Sequence, residues 1–294
     1  MIGTISGMGL YSGLVMETQL NPKIQPFLYD HQIEGTPVLP GVMGVEAFAE
    51  AALWALPGWQ VETVEDVHFL APFKFYRHEP RSLTIHAQFH PEGDAVVADC
   101  QLLGSRKLPN QPEPQVTIHF TARVRLTKHA KQGRTSNLPG APANSIIAAG
   151  DIYHLYFHGP AYQVLEQAWW DGDRIVGKML VTLPANHVPP EKATVIEPRL
   201  IELCFQTSGL WEMSALGRLG LPLQIGRVSL LRAAETALTN LYAIVTPREE
   251  GTVFDAEVVD ANGNQYLQLL GYRTVALSNS VDAEPLKVLQ AVVG

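Results

Sequence analysis

The feature that most constrains the fold is a repeated order of predicted elements, in which each half of the chain has one long apolar helix among several strands. In the first half, residues 40–58 begin with Pro-Gly, keep apolar residues at helical spacing and end with Pro-Gly. In the second half, residues 198–219 are predicted as one helix that Gly220 ends. Because their faces are so apolar, both helices are predicted to be buried.

Strand-like segments with intervening turns flank each helix. The predicted strands are 13–20, 67–76, 82–89, 95–103 and 115–126 in the first half, and 162–170, 174–183, 225–231, 239–247, 252–259 and 265–276 in the second. One helix per half cannot cross-connect several parallel strands, so a doubly wound fold is disfavoured. The pattern predicts an α+β double hotdog, with two antiparallel sheets that each wrap around a long central helix.

A break near the middle of the chain sets the predicted domain boundaries. Residues 129–150 are rich in small, polar, Pro and Gly residues and have no sustained period, which is typical of a linker. We therefore predict an N-terminal hotdog at 1–128, a linker at 129–150, a C-terminal hotdog at 151–280 and a C-terminal tail at 281–294.

Composition excludes several classes of function. The net charge is −8 and there is no basic block, which disfavours a nucleic-acid partner. Cys100 and Cys204 are too few for a disulfide scaffold or a structural zinc site, and are predicted as reduced core residues. His86 and His90 fall in one predicted strand, about 13 Å apart, so no zinc site is expected there. Neither a membrane span nor a signal peptide is predicted, so a cytoplasmic location is expected.

The strongest local signal is the segment from His31 to Gly41, which reads His-Gln-Ile-Glu-Gly-Thr-Pro-Val-Leu-Pro-Gly. Gly35 allows a tight turn or the close approach of a ligand, and Pro40 suits the start of a helix. An amide at Gly35 or Gly41, near the positive end of the helix, would suit a polarised carbonyl oxygen. From spacing alone, a surface histidine in a Gly/Pro loop remains an alternative.

The pattern His-x3-Gly-x4-Pro-Gly before an apolar helix resembles the catalytic motif of the dehydratase domains of polyketide and fatty-acid synthases. Residues 25–30 also resemble the lead-in to that motif, and the resemblance covers about residues 10–278. It implies a double hotdog that converts a 3-hydroxyacyl thioester to the 2-enoyl thioester. The motifs look closest to those of iterative, polyunsaturated-fatty-acid-type or enediyne-type synthases.

The resemblance also implies how the substrate is carried and which partners are present. The thioester would hang on the phosphopantetheine arm of an acyl carrier protein, and no dissociable cofactor or metal would be needed. Other synthase domains, and a second copy in a homodimer, are the implied partners. His31 would act as the base, because a neutral imidazole suits removal of a proton near pH 7.

The second predicted helix carries the expected acid. The family pattern has an Asp followed four residues later by Gln or His, and here Glu202 and Gln206 occupy those positions. Four residues make just over one helical turn, so both side chains share a face. Burial would keep Glu202 protonated as a general acid, and Gln206 would orient it. Glu is one methylene longer than the family Asp, and a solvent-facing glutamate is the alternative.

A third match lies in Phe157–Gln163, which resembles the family's Tyr-Gly-Pro-x-Phe segment. His158 stands where the family has Tyr, and Gly159 follows it. Tyr156 and Tyr162 are close in sequence, so which group assists the acid stays open. A structural Gly-Pro turn at the start of a strand is the alternative for this segment.

His31 and Glu202, one from each half, are predicted to form one active site. A non-catalytic double hotdog that binds acyl chains or scaffolds a synthase is one alternative function, and a double-bond isomerase or a thioesterase is another.

Lys74, Arg77 and Arg81 form a local basic group that suits an acidic partner or a solvated strand edge.

Overall fold

The chain forms two compact units. The computed structural model describes residues 1, 3–9, 11–107, 113–129, 132–141, 146–232 and 240–276. The first unit consists of Met1–Ala130 and Ala185–Pro198, and the second of Lys131–Pro184 and Arg199–Gly294. The segment Ala185–Pro198 thus groups with the first unit, although it falls in the range 151–280 assigned from the sequence to the second half. The predicted tail at 281–294 lies outside the described residues.

The first unit is an antiparallel sheet with one long helix against it. Its elements are β1 (Thr4–Gly9), β2 (Gly13–Leu20), α1 (Pro26–Tyr29), β3 (Gln32–Ile33), β4 (Thr36–Pro37), α2 (Gly41–Ala55), β5 (Gln60–Phe69), β6 (Arg81–Glu92), β7 (Ala95–Arg106) and β8 (Gln115–Thr127). Six strands pair in the order β1-β2-β6-β7-β8-β5, every pair antiparallel. The short strands β3 and β4 form a separate hairpin.

Helix α2 is buried because it is apolar on nearly every side. Val42, Val45 and Phe48 are fully buried, and the helix contacts β2, β5, β6, β7 and β8. Gly44 permits this packing, since a Cβ there would overlap the ring of Phe120 on β8. The sequence prediction for this helix is confirmed.

One buried carboxyl on α2 explains why residues 185–198 join the first unit. Glu46 is fully buried and accepts hydrogen bonds from the backbone N–H of Val195 at 2.7 Å and of Ile196 at 3.0 Å. Burial raises the pKa of Glu46 to about 8, with the two N–H donors acting in the opposite direction. The segment is therefore tied to α2 through two hydrogen bonds that offset part of the cost of burying the Glu46 carboxyl.

The second unit repeats this plan. Its elements are β9 (Ile146–Ala148), α3 (Ala149–Ile152), β10 (Leu165–Asp171), β11 (Arg174–Met179), α4 (Pro198–Leu216), β12 (Gly220–Leu230), β13 (Leu241–Arg248), β14 (Val253–Asp260) and β15 (Gln265–Ala276). The strands pair antiparallel in the order β12-β15-β14-β13-β11-β10-β9. The predicted architecture, two antiparallel sheets that each have a long buried helix, is confirmed.

Several predicted boundaries were wrong for local reasons. The strand predicted at 67–76 is β5, which ends at Phe69; Phe73 and Phe75 are buried as a strand pattern requires, but their backbone pairs with the segment around Val38. Helix α4 ends before Gly217, which adopts φ 65° and donates to the carbonyl of Met213, so Gly220 instead begins a strand.

The boundaries around the middle of the chain also differ. The strand predicted from 162 starts at Leu165, because Pro160–Tyr162 forms a 3-10 turn, and the next strand ends at Met179 rather than 183. The end of the predicted linker is ordered, since Ile146–Ala148 pairs with β10. Among the described residues, no helix combines the length and the apolarity that crossing a membrane requires.

Candidate active site

A two-residue hairpin turn positions His31 in the first unit. Glu34 and Gly35 have φ 50° and 73°, which is the backbone of a type I′ turn and favours glycine at the second position. The turn pairs Gln32 with Pro37, so the chain folds back and the N–H of Val38 donates to the carbonyl of His31 at 3.0 Å. Gly35 therefore serves the turn, one of the two roles left open by the sequence.

The imidazole of His31 has a defined tautomer. Its Nδ1 lies 2.8 Å from the carbonyl oxygen of Val38. A carbonyl oxygen only accepts hydrogen bonds, so Nδ1 carries the proton and, in the neutral ring, Nε2 carries the lone pair. The half-buried ring is thus held as a base that accepts a proton at Nε2.

The same hairpin brings His31 back to the start of α2. Val38 lies two residues before Pro40, the N-cap residue of α2, which supports the sequence prediction for Pro40 as a helix start. The amides of Gly41 and Val42 occupy helix positions that have no intrahelical acceptor. Gly41 must be small, since a Cβ there would overlap the ring of Phe69.

In the second unit, Glu202 and Gln206 share one face of α4 as predicted. Glu202 is 5% exposed and Gln206 is 1% exposed. The Nε2 of Gln206 donates to Oε1 of Glu202 at 2.8 Å. Glu202 is therefore buried and hydrogen-bonded, and the alternative of a solvent-facing glutamate is wrong.

The amide of Gln206 has only one workable orientation. Its Nε2 also donates to the carbonyl of Tyr162 at 2.8 Å, and its Oε1 accepts from the hydroxyl of Tyr153 at 2.9 Å. That hydroxyl in turn accepts from the backbone N–H of Leu165 at 2.7 Å, so its own proton points to Gln206. Each donor along this path faces an acceptor, and the path ends at the Glu202 carboxyl.

Tyr153 is the site residue that the sequence analysis missed. It lies far from Gln206 along the chain, and its neighbours match no spacing rule that would single it out. Burial raises the pKa of the Tyr153 phenol above its usual value, which keeps the hydroxyl protonated and able to donate. Tyr153 is a positioning residue, because it acts on Glu202 through Gln206.

His158 supplies the group at the family's Tyr position. Its Nε2 lies 3.2 Å from Oε1 of Glu202, and both side chains are buried. The ring of Phe157 stacks on His158 with centroids 4.4 Å apart. Of the groups left open by the sequence, His158 contacts the carboxyl, Tyr162 offers its backbone carbonyl, and the Tyr156 hydroxyl donates to the backbone of Gln206 at 2.6 Å.

Gly159 positions His158 by starting the turn that follows it. It is the N-cap of the 3-10 turn Pro160–Tyr162, and its carbonyl accepts from the N–H of Tyr162 at 2.9 Å. This is the structural Gly-Pro turn that the sequence offered as the alternative for this segment. The turn and the contact of His158 with Glu202 coexist, so the two interpretations of the segment do not compete.

The hydrogen-bond path from Tyr153 through Gln206 to Glu202 predicts the effect of removing one hydroxyl. We expect Tyr153→Phe to lower kcat by about fivefold with little change in KM, since one hydrogen bond worth about 1 kcal/mol is lost from the support of the acid. Tyr156→Phe is the matched control, because it removes a buried hydroxyl that donates to a backbone carbonyl instead. Steady-state kinetics and thermal unfolding of both variants test this; equal kcat losses would show a merely structural role for Tyr153.

Two models of known families match the chain. The model described as "Polyketide synthase dehydratase domain" matches residues 7–98. The model described as "Polyketide synthase dehydratase N-terminal domain" matches residues 145–284. The first match contains the His31 hairpin and the second contains the Glu202 helix, so both predicted site segments fall within dehydratase matches.

Curated relatives are large synthases. A polyunsaturated fatty acid synthase from Thraustochytrium sp. is 24% identical over 232 residues, which cover 73% of this chain and 8% of the relative. Polyketide synthase PksM from Bacillus subtilis is 22% identical over 280 residues, which cover 88% of this chain and 6% of the relative. The chain thus spans a small part of the length of these relatives.

Solved structures share the fold. The dehydratase domain from the CurF module of Curacin polyketide synthase has a TM-score of 0.76 and 18% identity, covering 94% of this chain and 98% of that domain. Two structures described as inactive mutants of CurK dehydratase, one a His-to-Phe and one an Asp-to-Asn change, have TM-scores of 0.70 and 0.71 at 16% and 17% identity. They cover 94% and 95% of this chain, and 98% and 99% of the mutant chains.

The family matches and the shared fold agree with the residues of the two site segments. The hairpin with His31 and the buried Glu202–Gln206 pair are the segments that resemble the family motif, with a Glu and a His at the two positions that depart from it. The chain belongs to the polyketide synthase dehydratase family.

Proposed function

We propose that this chain removes water from a 3-hydroxyacyl thioester to give the 2-enoyl thioester, with His31 as the base and Glu202 as the acid. The observation that carries the proposal is the pair of different environments in the two site segments. His31 holds an acceptor nitrogen at Nε2, and Glu202 is a buried carboxyl in a directed hydrogen-bond path. Dehydration needs one group that takes a proton and one that gives a proton.

The first chemical step is removal of the proton alpha to the thioester carbonyl. Nε2 of His31 takes this proton, and the C–H electron pair moves into the forming C=C bond or onto the thioester oxygen. The amides of Gly41 and Val42, at the positive end of α2, are suited to that developing negative oxygen. The hydrogen bond to Val38 stabilises the resulting imidazolium, because Nδ1–H donates to a carbonyl.

The second step is loss of the beta-hydroxyl. The C–O bond breaks, the oxygen takes the proton of Glu202, and water leaves. Glu202 ends as a carboxylate, which the donors Gln206 Nε2 and His158 Nε2 stabilise at Oε1. Transfer of the proton from His31 back to Glu202, through water or solvent, resets both groups, so the cycle has no net proton change.

The cellular context follows from the family and is part of this proposal. We propose that the substrate is carried on the phosphopantetheine arm of an acyl carrier protein, that the chain works beside other synthase domains in the cytoplasm, and that it pairs as a homodimer. We propose that no dissociable cofactor takes part. The family match favours dehydration over the isomerase, thioesterase and non-catalytic alternatives.

Product analysis tests the reaction directly. The chain is mixed with a 3-hydroxyacyl thioester on an acyl carrier protein, and the carrier is followed by intact-protein mass spectrometry. Loss of one water, together with the reverse gain of one water by the 2-enoyl thioester, is expected. An unchanged mass in both directions contradicts the proposal, as does release of the free acid or a shifted double bond as the sole product.

A further inference from the structure

A cavity of about 520 Å³ opens at one end of the sheet of the first unit. The segment 72–81, the end of β7 and the start of β8 form its walls. Its charged lining residues are Lys74, Arg77, Arg81, Arg106, Lys107 and Glu79. Five cations thus face one cavity with a single carboxylate, in a chain whose net charge is −8.

The single carboxylate neutralises only one of these cations. Glu79 pairs with Arg77, with Nε to Oε1 at 3.1 Å and Nη2 to Oε2 at 3.2 Å. In the part of the chain that the structure describes, no ion pair joins the other four cations to a carboxylate. Like charges in one concavity repel each other, so an anion is the ligand that this cavity favours.

Arg81 is preorganised at the edge of this cavity. Its guanidinium lies 3.9 Å from the centroid of the Phe73 ring, and Nη1 donates to the backbone carbonyl of Lys74 at 3.1 Å. These contacts hold a half-buried guanidinium in one orientation, which lowers the entropy cost of binding an anion. Burial lowers the pKa of Arg81 from its ordinary value, but the group remains a cation at neutral pH.

The buried imidazole of His119, at the inner wall of the cavity, is a second and independent indication of a ligand. His119 is 4% exposed and lines the cavity; its Nδ1 donates to the carbonyl of Ala71 at 3.1 Å. Its Nε2 is buried and has no hydrogen-bond partner among the described residues. Buried polar atoms in folded proteins are normally hydrogen-bonded. A cavity that receives a polar ligand or its water accounts for this exception.

Gly104 keeps this wall open. A Cβ at Gly104 would overlap both Nε2 of His119 and Nη2 of Arg81. The two polar groups therefore converge on one glycine of β7, and any larger residue would fill the space between them. This convergence of a cation and an unpartnered ring nitrogen is a feature of a built site rather than of a random surface patch.

The cavity adjoins the element that holds the base. Lys74 pairs with Val38 in an antiparallel bridge, and the N–H of Phe75 donates to the carbonyl of Pro37 at 2.8 Å. Val38 is the residue whose carbonyl holds Nδ1 of His31. One strand spacing, about 4.8 Å, separates paired backbones, so the basic segment is the direct neighbour of the strand that fixes His31.

We propose that this cavity binds the phosphate of the phosphopantetheine arm on which the acyl substrate is carried. The inference rests on the proposed function for the presence of that arm. The phosphate is at one end of the arm and the reacting thioester is at the other, so the phosphate needs an anion site that is separate from the base, as this cavity is. Arg81, Arg106, Lys74 and Lys107 neutralise it through charge-assisted hydrogen bonds.

Matched substrates test the site independently of the reaction. The same 3-hydroxyacyl group is supplied as a thioester of phosphopantetheine and as a thioester of pantetheine, which lacks the phosphate. At low ionic strength, we expect kcat/KM for the phosphorylated substrate to be about tenfold or more higher, chiefly through KM, and the advantage to shrink with added salt. Equal kcat/KM for the two substrates would overturn the inference and leave the proposed function standing.

Charge reversal locates the effect. The pair Arg106→Glu and Lys107→Glu changes exposed residues, so the fold is preserved, and we expect the preference for the phosphorylated substrate to vanish. The pair Lys23→Glu and Lys128→Glu is the control, because it changes the net charge equally on exposed positions outside the cavity. Equal loss in both pairs would assign the preference to net charge and overturn the site.

Direct binding separates failure of the site from failure of the proposed function. Calorimetry with phosphopantetheine, pantetheine and inorganic phosphate needs no turnover. Binding of phosphopantetheine that is stronger than that of either other probe, and that is lost in the Arg106→Glu, Lys107→Glu pair, supports the site even if no water is lost from any substrate. Inorganic phosphate that binds as well as phosphopantetheine would mark a free-phosphate site and overturn the assignment to the arm.

Discussion

His31→Gln is expected to lower kcat for water loss by about 10²- to 10⁴-fold, the range that a positioned general base contributes. The expected loss is large because the amide of glutamine has no basic nitrogen. The fold should be retained, since the ring is only half-buried and the hairpin is held by its own backbone hydrogen bonds. Single-turnover mass spectrometry measures the rate, and thermal unfolding measures the fold.

The control for this variant is a second histidine that contacts the same hairpin. Nε2 of His78 lies 3.1 Å from the carbonyl of Gly35 at the hairpin tip. His78→Gln therefore makes the same chemical change next to a carbonyl of the same hairpin, and we expect it to keep the parent rate. Parent-like turnover by His31→Gln would show that His31 is not the base and would contradict the proposed mechanism.

The sequence predicted the helices because burial there depends on residues close together in the chain. The apolar spacing of residues 40–58 and their flanking Pro and Gly residues were enough to locate α2. The relation of Glu202 to Gln206 was predictable for the same reason, since four residues along a helix fix two side chains on one face. Local periodicity was therefore enough to predict the contact of Glu202 with Gln206, but not its contact with His158.

Contacts between distant segments could not be predicted from periodicity. Phe73 and Phe75 follow the period of a strand and are buried, but the hydrogen bonds of their backbone go to Pro37 and Leu39 instead of to the sheet. A segment whose backbone pairs within the sheet and a segment whose backbone pairs elsewhere show the same alternation of buried residues. This alternation therefore does not reveal which segment the backbone pairs with. Tyr153 was missed for the same reason, because its contact with Gln206 joins two segments that no spacing rule connects.

His158 shows where a family resemblance helps and where it stops. The Gly-Pro turn located the segment, but the residue at the Tyr position had changed, and the sequence left three aromatic groups as candidates. The structure distinguishes them by contact, since Nε2 of His158 lies 3.2 Å from Oε1 of Glu202, whereas the Tyr156 hydroxyl donates to the backbone carbonyl of Gln206 and the Tyr162 carbonyl accepts from Gln206 Nε2. Because the residue at this motif position differs from that of the family, its role was assigned from the distance between His158 and Glu202.

Glu202→Gln is expected to lower kcat by about 10²- to 10⁴-fold, because it removes the proton that the departing hydroxyl needs. The amide keeps an oxygen that accepts from Gln206 and from His158, so the hydrogen-bond path and the fold should persist. KM should change little, since the lost interaction matters only in the transition state. Glu212→Gln, a change at a second buried glutamate of α4 that bonds Thr274, is the matched control.

A second variant separates the proton from its placement. Glu202→Asp keeps the acid but draws the carboxyl back by one methylene, about 1.5 Å, away from the ring of His158. We expect a rate between those of the parent and Glu202→Gln, because the family's residue meets a histidine where the family has a tyrosine. If Glu202→Gln keeps the parent rate while Glu202→Gln with His158→Gln does not, His158 is the acid, and the assignment of that role to Glu202 is wrong.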